Sequence, residues 1–267
     1  MDFKIPKTFG IVGSGGNFGS FVEKHVRSEA PFIKEVRGYD KYKPCTHTLK
    51  QVAESDIVML APALDHLEES LPEVLAEVSP TSVLVEVGTN KAEPKRLIEQ
   101  LAPDQLVIWL HPLFGEQSFI DNGCSFKGLQ LAVCGQQNVG HRVFAAACRF
   151  LRNVVGLDLV EMDPDEHDRD VVANEQFITQ YTGLVTREAG FSLNEKNAHT
   201  LSARHYFRAM GIVSGDENLF WAVYDKNPHC VAAAERFEQA VMRLRAKRLA
   251  RGTKLGPVPL PYAEASA

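Results

Sequence analysis

Ile11-Val12-Gly13-Ser14-Gly15-Gly16-Asn17-Phe18-Gly19 joins a short apolar run to an amphipathic one through a cluster of glycines. Thr8 to Val12 reads as a strand, and Phe18 to Glu29 repeats apolar residues at helical spacing. A glycine-rich turn between strand and helix lets the backbone approach a pyrophosphate, which rests on the unpaired N–H groups and positive end of the helix. Glycines at 13, 15, 16 and 19 permit two registers. In one, Ser14, Gly16 and Gly19 occupy the three motif positions; in the other, Phe18 takes the third. The first is preferred, because Gly19 then allows the helix to pack closely on the sheet. Gly13, Ser14, Gly15, Gly16, Asn17, Phe18 and Gly19 are thus the candidate phosphate-binding residues. Such a turn also occurs as a plain strand-to-helix connection, and its place after the first strand is what favours a dinucleotide.

Outward from this turn, Thr8 to about Val160 alternates short apolar runs with amphipathic stretches, as parallel strands with crossover helices do. Strands are expected at Thr8 to Val12, Glu35 to Tyr39, Ile57 to Leu60, Ser82 to Glu86, Leu106 to Leu110, Leu129 to Cys134 and Leu157 to Glu161. Helices are expected at Phe18 to Glu29, Leu67 to Glu77 and Lys95 to Leu101. The β-branched runs suit a sheet covered on both faces. After Met162 the strand-like runs stop. Asp163 is placed to cap a helix with Pro164 at its first position, and apolar residues recur at helical spacing through Val171 to Ala189 and Phe220 to Leu249, with a polar joint near Ser214 to Asn218. The expected fold is α/β, a Rossmann-type parallel-sheet domain over 1–161 followed by an all-helical dimerisation domain over 162–267. Thr253 to Ala267 reads as a loosely held tail.

Asp40 ends the second strand, 21 positions after Gly19. That is close to the offset of about 20 residues at which a carboxylate accepts from the adenosine ribose hydroxyls. A carboxylate there repels a 2′-phosphate, which favours NAD over NADP. Lys41 and Lys43 leave NADP open, since ammonium groups hold a phosphate.

A net charge of −5, from 29 basic and 34 acidic side chains, supplies no cationic field for nucleic acid or an anionic membrane. Five cysteines without a Cys-x-x-Cys pair indicate neither a disulfide framework nor a metal site, and read as buried thiols of a cytoplasmic protein. No apolar run reaches the ~18 residues that cross a bilayer.

His111-Pro112-Leu113-Phe114-Gly115 follows the strand Leu106 to Leu110, so His111 is expected at the carboxyl edge of the sheet, where open α/β folds bind ligands. A near-neutral imidazole can take the proton of an alcohol while hydride leaves the same carbon. The parallel segment Val87-Gly88-Thr89-Asn90-Lys91 adds a hydroxyl and an ammonium at the same edge.

These segments resemble the prephenate and arogenate dehydrogenases of tyrosine biosynthesis. The resemblance continues in Met162-x-x-x-Glu166-His167-Asp168-Arg169, in Gln176-Phe177-Ile178-Thr179, and in Asp216-x-x-Leu219-Phe220-Trp221 followed by Tyr224-x-Lys226-Asn227. It implies an NAD-dependent oxidative decarboxylation of prephenate, with His111 deprotonating the C4 hydroxyl and Thr89 hydrogen-bonding the same oxygen. It also implies a homodimer formed through the helical half. Many members carry histidine where this chain has Gln180. Gln176, Gln180, Arg204 and Arg208 are the candidate substrate contacts, the arginines because a guanidinium grips a carboxylate with two bonds. His167 and Asp168 are expected to cap or pack the long helix. Arogenate, or an amino analogue such as 4-amino-4-deoxyprephenate, is the nearest alternative substrate. Other chemistries are a β-hydroxy-acid dehydrogenase, which asks for a lysine that Val171 to Ala189 lacks, and a dinucleotide-binding regulator without turnover.

Overall fold

A computed structural model describes residues 5–61, 67–191, 196, 198–213 and 217–252. Seven strands form one sheet: β1 (Thr8–Val12), β2 (Glu35–Tyr39), β3 (Ile57–Leu60), β4 (Val83–Glu86), β5 (Leu106–Pro112), β6 (Gln130–Gln137) and β7 (Asp158–Glu161), in the order β2-β1-β3-β4-β5-β6-β7. The chain leaves β1 for β2 on one side and returns to β3 on the other. This reversal opens a crevice at the carboxyl ends of β1 and β3, where doubly wound sheets bind ligands.

Apolar side chains alternate along the strands and fill both faces. Val12, Val58, Leu60, Leu84, Val107 and Trp109 belong to one buried cluster, with Leu71 and Val74 of α3 (Leu67–Glu77) and Ile98 of α4 (Ala92–Leu101). Ile108, Leu110, Leu131 and Val133 face the other side, against Phe144 of α6 (His141–Phe150). The two-sided burial is what the β-branched runs anticipate.

Two strands depart from the parallel expectation: β6 pairs antiparallel with β5, and β7, parallel to β6, runs the same reversed way. The β5–β6 link holds a single short helix, α5 (Glu116–Asp121), whereas a parallel return needs a full crossover. A bulge interrupts the β5–β6 register: Trp109 faces Gly135 and Leu110 faces Val133, so Cys134 is the extra residue. Gly135 has φ +117°, backbone that side-chain-bearing residues rarely adopt. β5 runs two residues longer than expected, so His111 lies inside the strand rather than after it. On the alternation of β5 it shares the face of Val107 and Trp109.

Beyond Glu161 every described element is helical. Asp163 accepts from the Asp165 amide at 2.8 Å and caps α7 (Pro164–Glu166). The helix then widens into a π-helical stretch, His167–Phe177, before resuming as α8 (Ile178–Glu188). π-helical turns are rare and concentrate at functional sites. α9 (Leu201–Val213), α10 (Glu217–Lys226) and α11 (Pro228–Arg251) complete this half. Its core joins Val172, Phe177 and Leu184 to Phe220, Val223 and Cys230, with the Phe177 and Phe220 rings stacked at 4.9 Å. The expected apolar run Phe220 to Leu249 is two helices, because Asn227 caps α11 and Pro228 opens it. Residues 214–216 of the expected joint and the tail 253–267 lie outside the described residues. Cys134 and Cys230 are buried thiols, but Cys45 and Cys124 are exposed, contrary to expectation, because both lie in surface loops.

Candidate active site

The turn after β1 is held from below. The amides of Gly13 and Ser14 donate to the Tyr39 carbonyl at 2.8 and 3.1 Å, and Gly13 takes φ +88°. A Cβ on Gly19 would sit 2.2 Å from the Gly13 carbonyl oxygen, so α1 (Asn17–Glu29) can approach the turn only with glycine there. Gly16 is the N-cap; the helix has neither a capping side chain nor an acidic residue in its first turn. Its leading N–H groups are left for an anion.

Asp40 closes over this turn. One carboxylate oxygen accepts from the Gly15 amide at 3.1 Å, and the other from the amides of Tyr42 and Lys43 at 2.9 and 3.0 Å. Lys43 Nζ donates to the Gly15 carbonyl at 2.5 Å. Lys41 Nζ is held by Glu69 at 2.9 Å and Glu73 at 3.1 Å, and these bonds raise its pKa. The surroundings of Asp40 are therefore carboxylate-rich, and one of the two nearby lysines is already neutralised.

A cleft of about 260 Å³ runs from this turn across the carboxyl ends of the strands, lined among others by Phe18, Thr89, His111, Phe114 and Leu219. At its floor lies a buried polar cluster. Lys91 and Glu86 form an ion pair with essentially no solvent exposure, and the second Glu86 oxygen accepts from the Gly88 amide at 2.6 Å. A Cβ on Gly88 would meet that oxygen at 2.6 Å, so the carboxylate needs glycine above it.

His111 is buried, and its Nδ1 lies 2.9 Å from His167 Nε2. The Nδ1 of His167 lies 2.9 Å from Asp168 Oδ1. The Asp168 carboxylate also accepts from the Lys91 amide at 2.8 Å and the Ala92 amide at 2.8 Å, at the N-terminus of α4. Asn227 Nδ2 donates to the Asp168 carbonyl at 2.9 Å. Burial first, then the positive field of Lys91 and the neighbouring His167, holds the pKa of His111 well below 6.5. Burial pushes the nearby Cys134 thiol up to about 12.

His167 and Asp168 are the residues that the sequence reading placed wrongly: they touch the site rather than only packing the helix. Their adjacency in Glu166-His167-Asp168 was visible, but the 56 positions between His111 and His167 were not bridged by any local signal. Thr89 lines the cleft, whereas Gln176, Gln180, Arg204 and Arg208 do not belong to its described lining. Arg208 Nη2 pairs with Asp121 at 2.7 Å, and Arg204 is exposed on α9. Among the described residues no cluster of three metal-ligating side chains occurs, and no helix is long and apolar enough to cross a membrane.

Residues 36–156 match the family described as prephenate dehydrogenase, nucleotide-binding domain. The match begins beyond the glycine turn. No curated protein matches the chain. Among solved structures, Synechocystis arogenate dehydrogenase is similar at 14% identity and a TM-score of 0.62, over 90% of this chain and 91% of that one. Prephenate dehydrogenase from A. aeolicus, in complex with hydroxyphenyl propionate and NAD+, is similar at 16% identity and a TM-score of 0.67, over 92% and 91%. The fold extends further, to Plasmodium falciparum pyrroline carboxylate reductase at 14% identity and a TM-score of 0.51, over 91% and 93%. Residues 36–156 thus match the prephenate dehydrogenase nucleotide-binding domain family, and the fold of these enzymes runs along nine-tenths of the chain.

Proposed function

We propose that the chain is an NAD-dependent dehydrogenase that oxidatively decarboxylates prephenate to 4-hydroxyphenylpyruvate. The observation that carries this reading is that Phe18 of the glycine turn, Thr89 and His111 line one cleft. The first-turn amides of α1, with Gly13, Ser14, Gly15, Gly16, Asn17 and Gly19 around them, fit a pyrophosphate, and Asp40 fits the adenosine ribose. The bound nicotinamide supplies the hydride acceptor. His111 takes the proton of the C4 hydroxyl as hydride leaves that carbon, and Thr89 donates to or accepts from the same oxygen. The ring carboxylate leaves as carbon dioxide, and its bonding electrons complete the aromatic ring. Gln176, Gln180, Arg204 and Arg208 remain proposed substrate contacts, although none belongs to the described lining of the cleft.

Prephenate is favoured over arogenate by one feature of the cleft. Glu86 is the acidic residue of its described lining, and its two oxygens are engaged by Lys91 and the Gly88 amide. A substrate ammonium finds no unpaired carboxylate there. The test is absorbance at the reduced-nicotinamide band with prephenate and with arogenate, each with NAD and NADP. Reduction with prephenate and NAD supports the assignment, turnover of arogenate alone reassigns the substrate, and silence with all four overturns catalysis in favour of a dinucleotide-binding regulator.

NAD is favoured because Asp40 stands beside the turn and the adjacent Lys41, which could otherwise hold a 2′-phosphate, is bound to Glu69 and Glu73. Asp40→Ser is expected to weaken NADH and lower its preference over NADPH by about tenfold or more, the loss of one charge-assisted bond and one repulsion. Fluorescence titration with both nucleotides measures it, and an unchanged ratio removes Asp40 from recognition.

The helical half exposes Trp221 on α10 and Val241, Met242, Leu244 and Leu249 on α11, half or more accessible each. These exposed apolar side chains support a homodimer through that half, since apolar surface brought together on a folded chain marks interfaces. Light scattering is expected to give twice the chain mass, and Met242→Glu with Leu244→Glu to shift it to one; a monomeric wild type contradicts the proposal.

A further inference from the structure

We infer that His167 and Asp168 are positioning residues that lock His111 in the tautomer with hydrogen on Nδ1, leaving the Nε2 lone pair for the cleft. The inference rests on the proposed alcohol oxidation for its use but not for its geometry. A carboxylate only accepts, so the hydrogen between His167 and Asp168 lies on His167 Nδ1. In neutral His167 the Nε2 then carries a lone pair. At 2.9 Å from His111 Nδ1, that lone pair is satisfied only by a hydrogen on His111 Nδ1. His111 Nε2 is thereby bare.

The chain of bonds is anchored where it cannot rotate. Asp168 accepts from the two amides that open α4, so its orientation is set by the backbone and by the positive end of that helix. His167 is fully buried, and the π-helical stretch that begins with it seats its ring against His111 with centroids 5.0 Å apart. The charged groups facing the pair are Lys91, Glu86 and Asp168, with one net negative charge among them. When the substrate O–H bond breaks and an Nε2–H bond forms, the two imidazoles together hold one positive charge and the cluster becomes neutral. An intrinsically hard step, placing a cation on a buried ring, is offset by the fixed carboxylate two bonds away.

The experiment is long-range nitrogen–proton correlation spectroscopy of histidine on the full chain labelled at its imidazole nitrogens, at mildly alkaline pH. It is run on wild type, Asp168→Asn and His167→Phe beside prephenate turnover and NADH titration. The wild type is expected to show His111 with a pyrrole-like Nδ1 and a pyridine-like Nε2. In Asp168→Asn the amide donates to His167, the hydrogens in the chain reverse, and His111 becomes pyrrole-like at Nε2. Turnover then falls by about 10³–10⁴-fold, with NADH affinity kept. His167→Phe leaves the α4 anchor intact and is expected to release His111 to the Nε2–H form as well, so the test survives misfolding of the Asp168 variant. A wild-type His111 protonated at Nε2, a doubly protonated His167, or a tautomer unmoved in both variants overturns the inference. A locked Nδ1–H tautomer with no turnover of any substrate leaves the inference standing and removes the proposed reaction instead.

Discussion

His111→Ala is expected to lower kcat by about 10³–10⁴-fold while leaving NADH binding unchanged, because it removes the proposed base and no residue proposed to hold the nucleotide. His111 lies on β5 and the glycine turn between β1 and α1, so a cofactor titration and a turnover assay read separate elements. A rate within tenfold of wild type excludes His111 as the base. The same side chain sets a pH dependence. Burial, Lys91 and His167 depress its folded pKa below 6.5, so the base stays neutral as pH falls through the ordinary histidine range. The acid limb of kcat/KM assigned to His111 is expected below pH 6.5. The stability consequence has the opposite sense. Below that ordinary value the unfolded chain takes a proton that the folded site refuses, so this residue's contribution is present above it and lost as pH falls.

Glu86→Ala is expected to destabilise the fold by about 3–5 kcal/mol, the largest stability effect at the site. Lys91 has no solvent exposure, so without Glu86 its buried ammonium has no counter-charge on that carboxylate, and the Gly88 amide loses its acceptor. Chemical denaturation measures the loss, and Glu86→Leu combined with Lys91→Met is expected to recover most of it, since replacing both partners by apolar groups leaves no orphan charge. A single variant as stable as wild type shows that the pair is hydrated in solution. The surviving Glu86→Ala enzyme is expected to be slow as well. An uncompensated Lys91 raises the cost of placing positive charge on His111.

The ion pair explains why the Val87 to Lys91 segment holds its shape. Lys91 contributes its ammonium to Glu86 and its backbone amide to Asp168, so one residue joins β4, the start of α4 and the helical half. Asn227, which caps α11, also reaches the Asp168 carbonyl. Lys226 of α10 pairs with Glu68 of α3. The floor of the cleft is therefore also the seam between the sheet and the helices.

The strands and the glycine turn were legible in the sequence because their causes are local. Short apolar runs bounded by turn residues mark β1, β2 and β3 without reference to the rest of the chain, and Gly19 announces its close approach to the Gly13 carbonyl. The reversal of β6 was less legible. Strand pattern carries no direction, and only the shortness of the link through α5 hinted at it. The four proposed substrate contacts were read from helical segments whose orientation depends on packing, and the folded chain places Arg208 on Asp121 rather than in the described lining of the cleft.

What the sequence determined by itself is the strands, the glycine turn with Asp40 beside it, and a histidine and a threonine near the carboxyl ends of neighbouring strands, since each depends on spacing within a few residues. What only the tertiary structure decided is the state of that histidine. His167 and Asp168 reach it through a π-helical widening, the N-terminus of α4 and a seam between two halves, contacts between residues 56 or more positions apart. Hydrogen-bond direction is a property of the assembled network. No stretch of chain contains it.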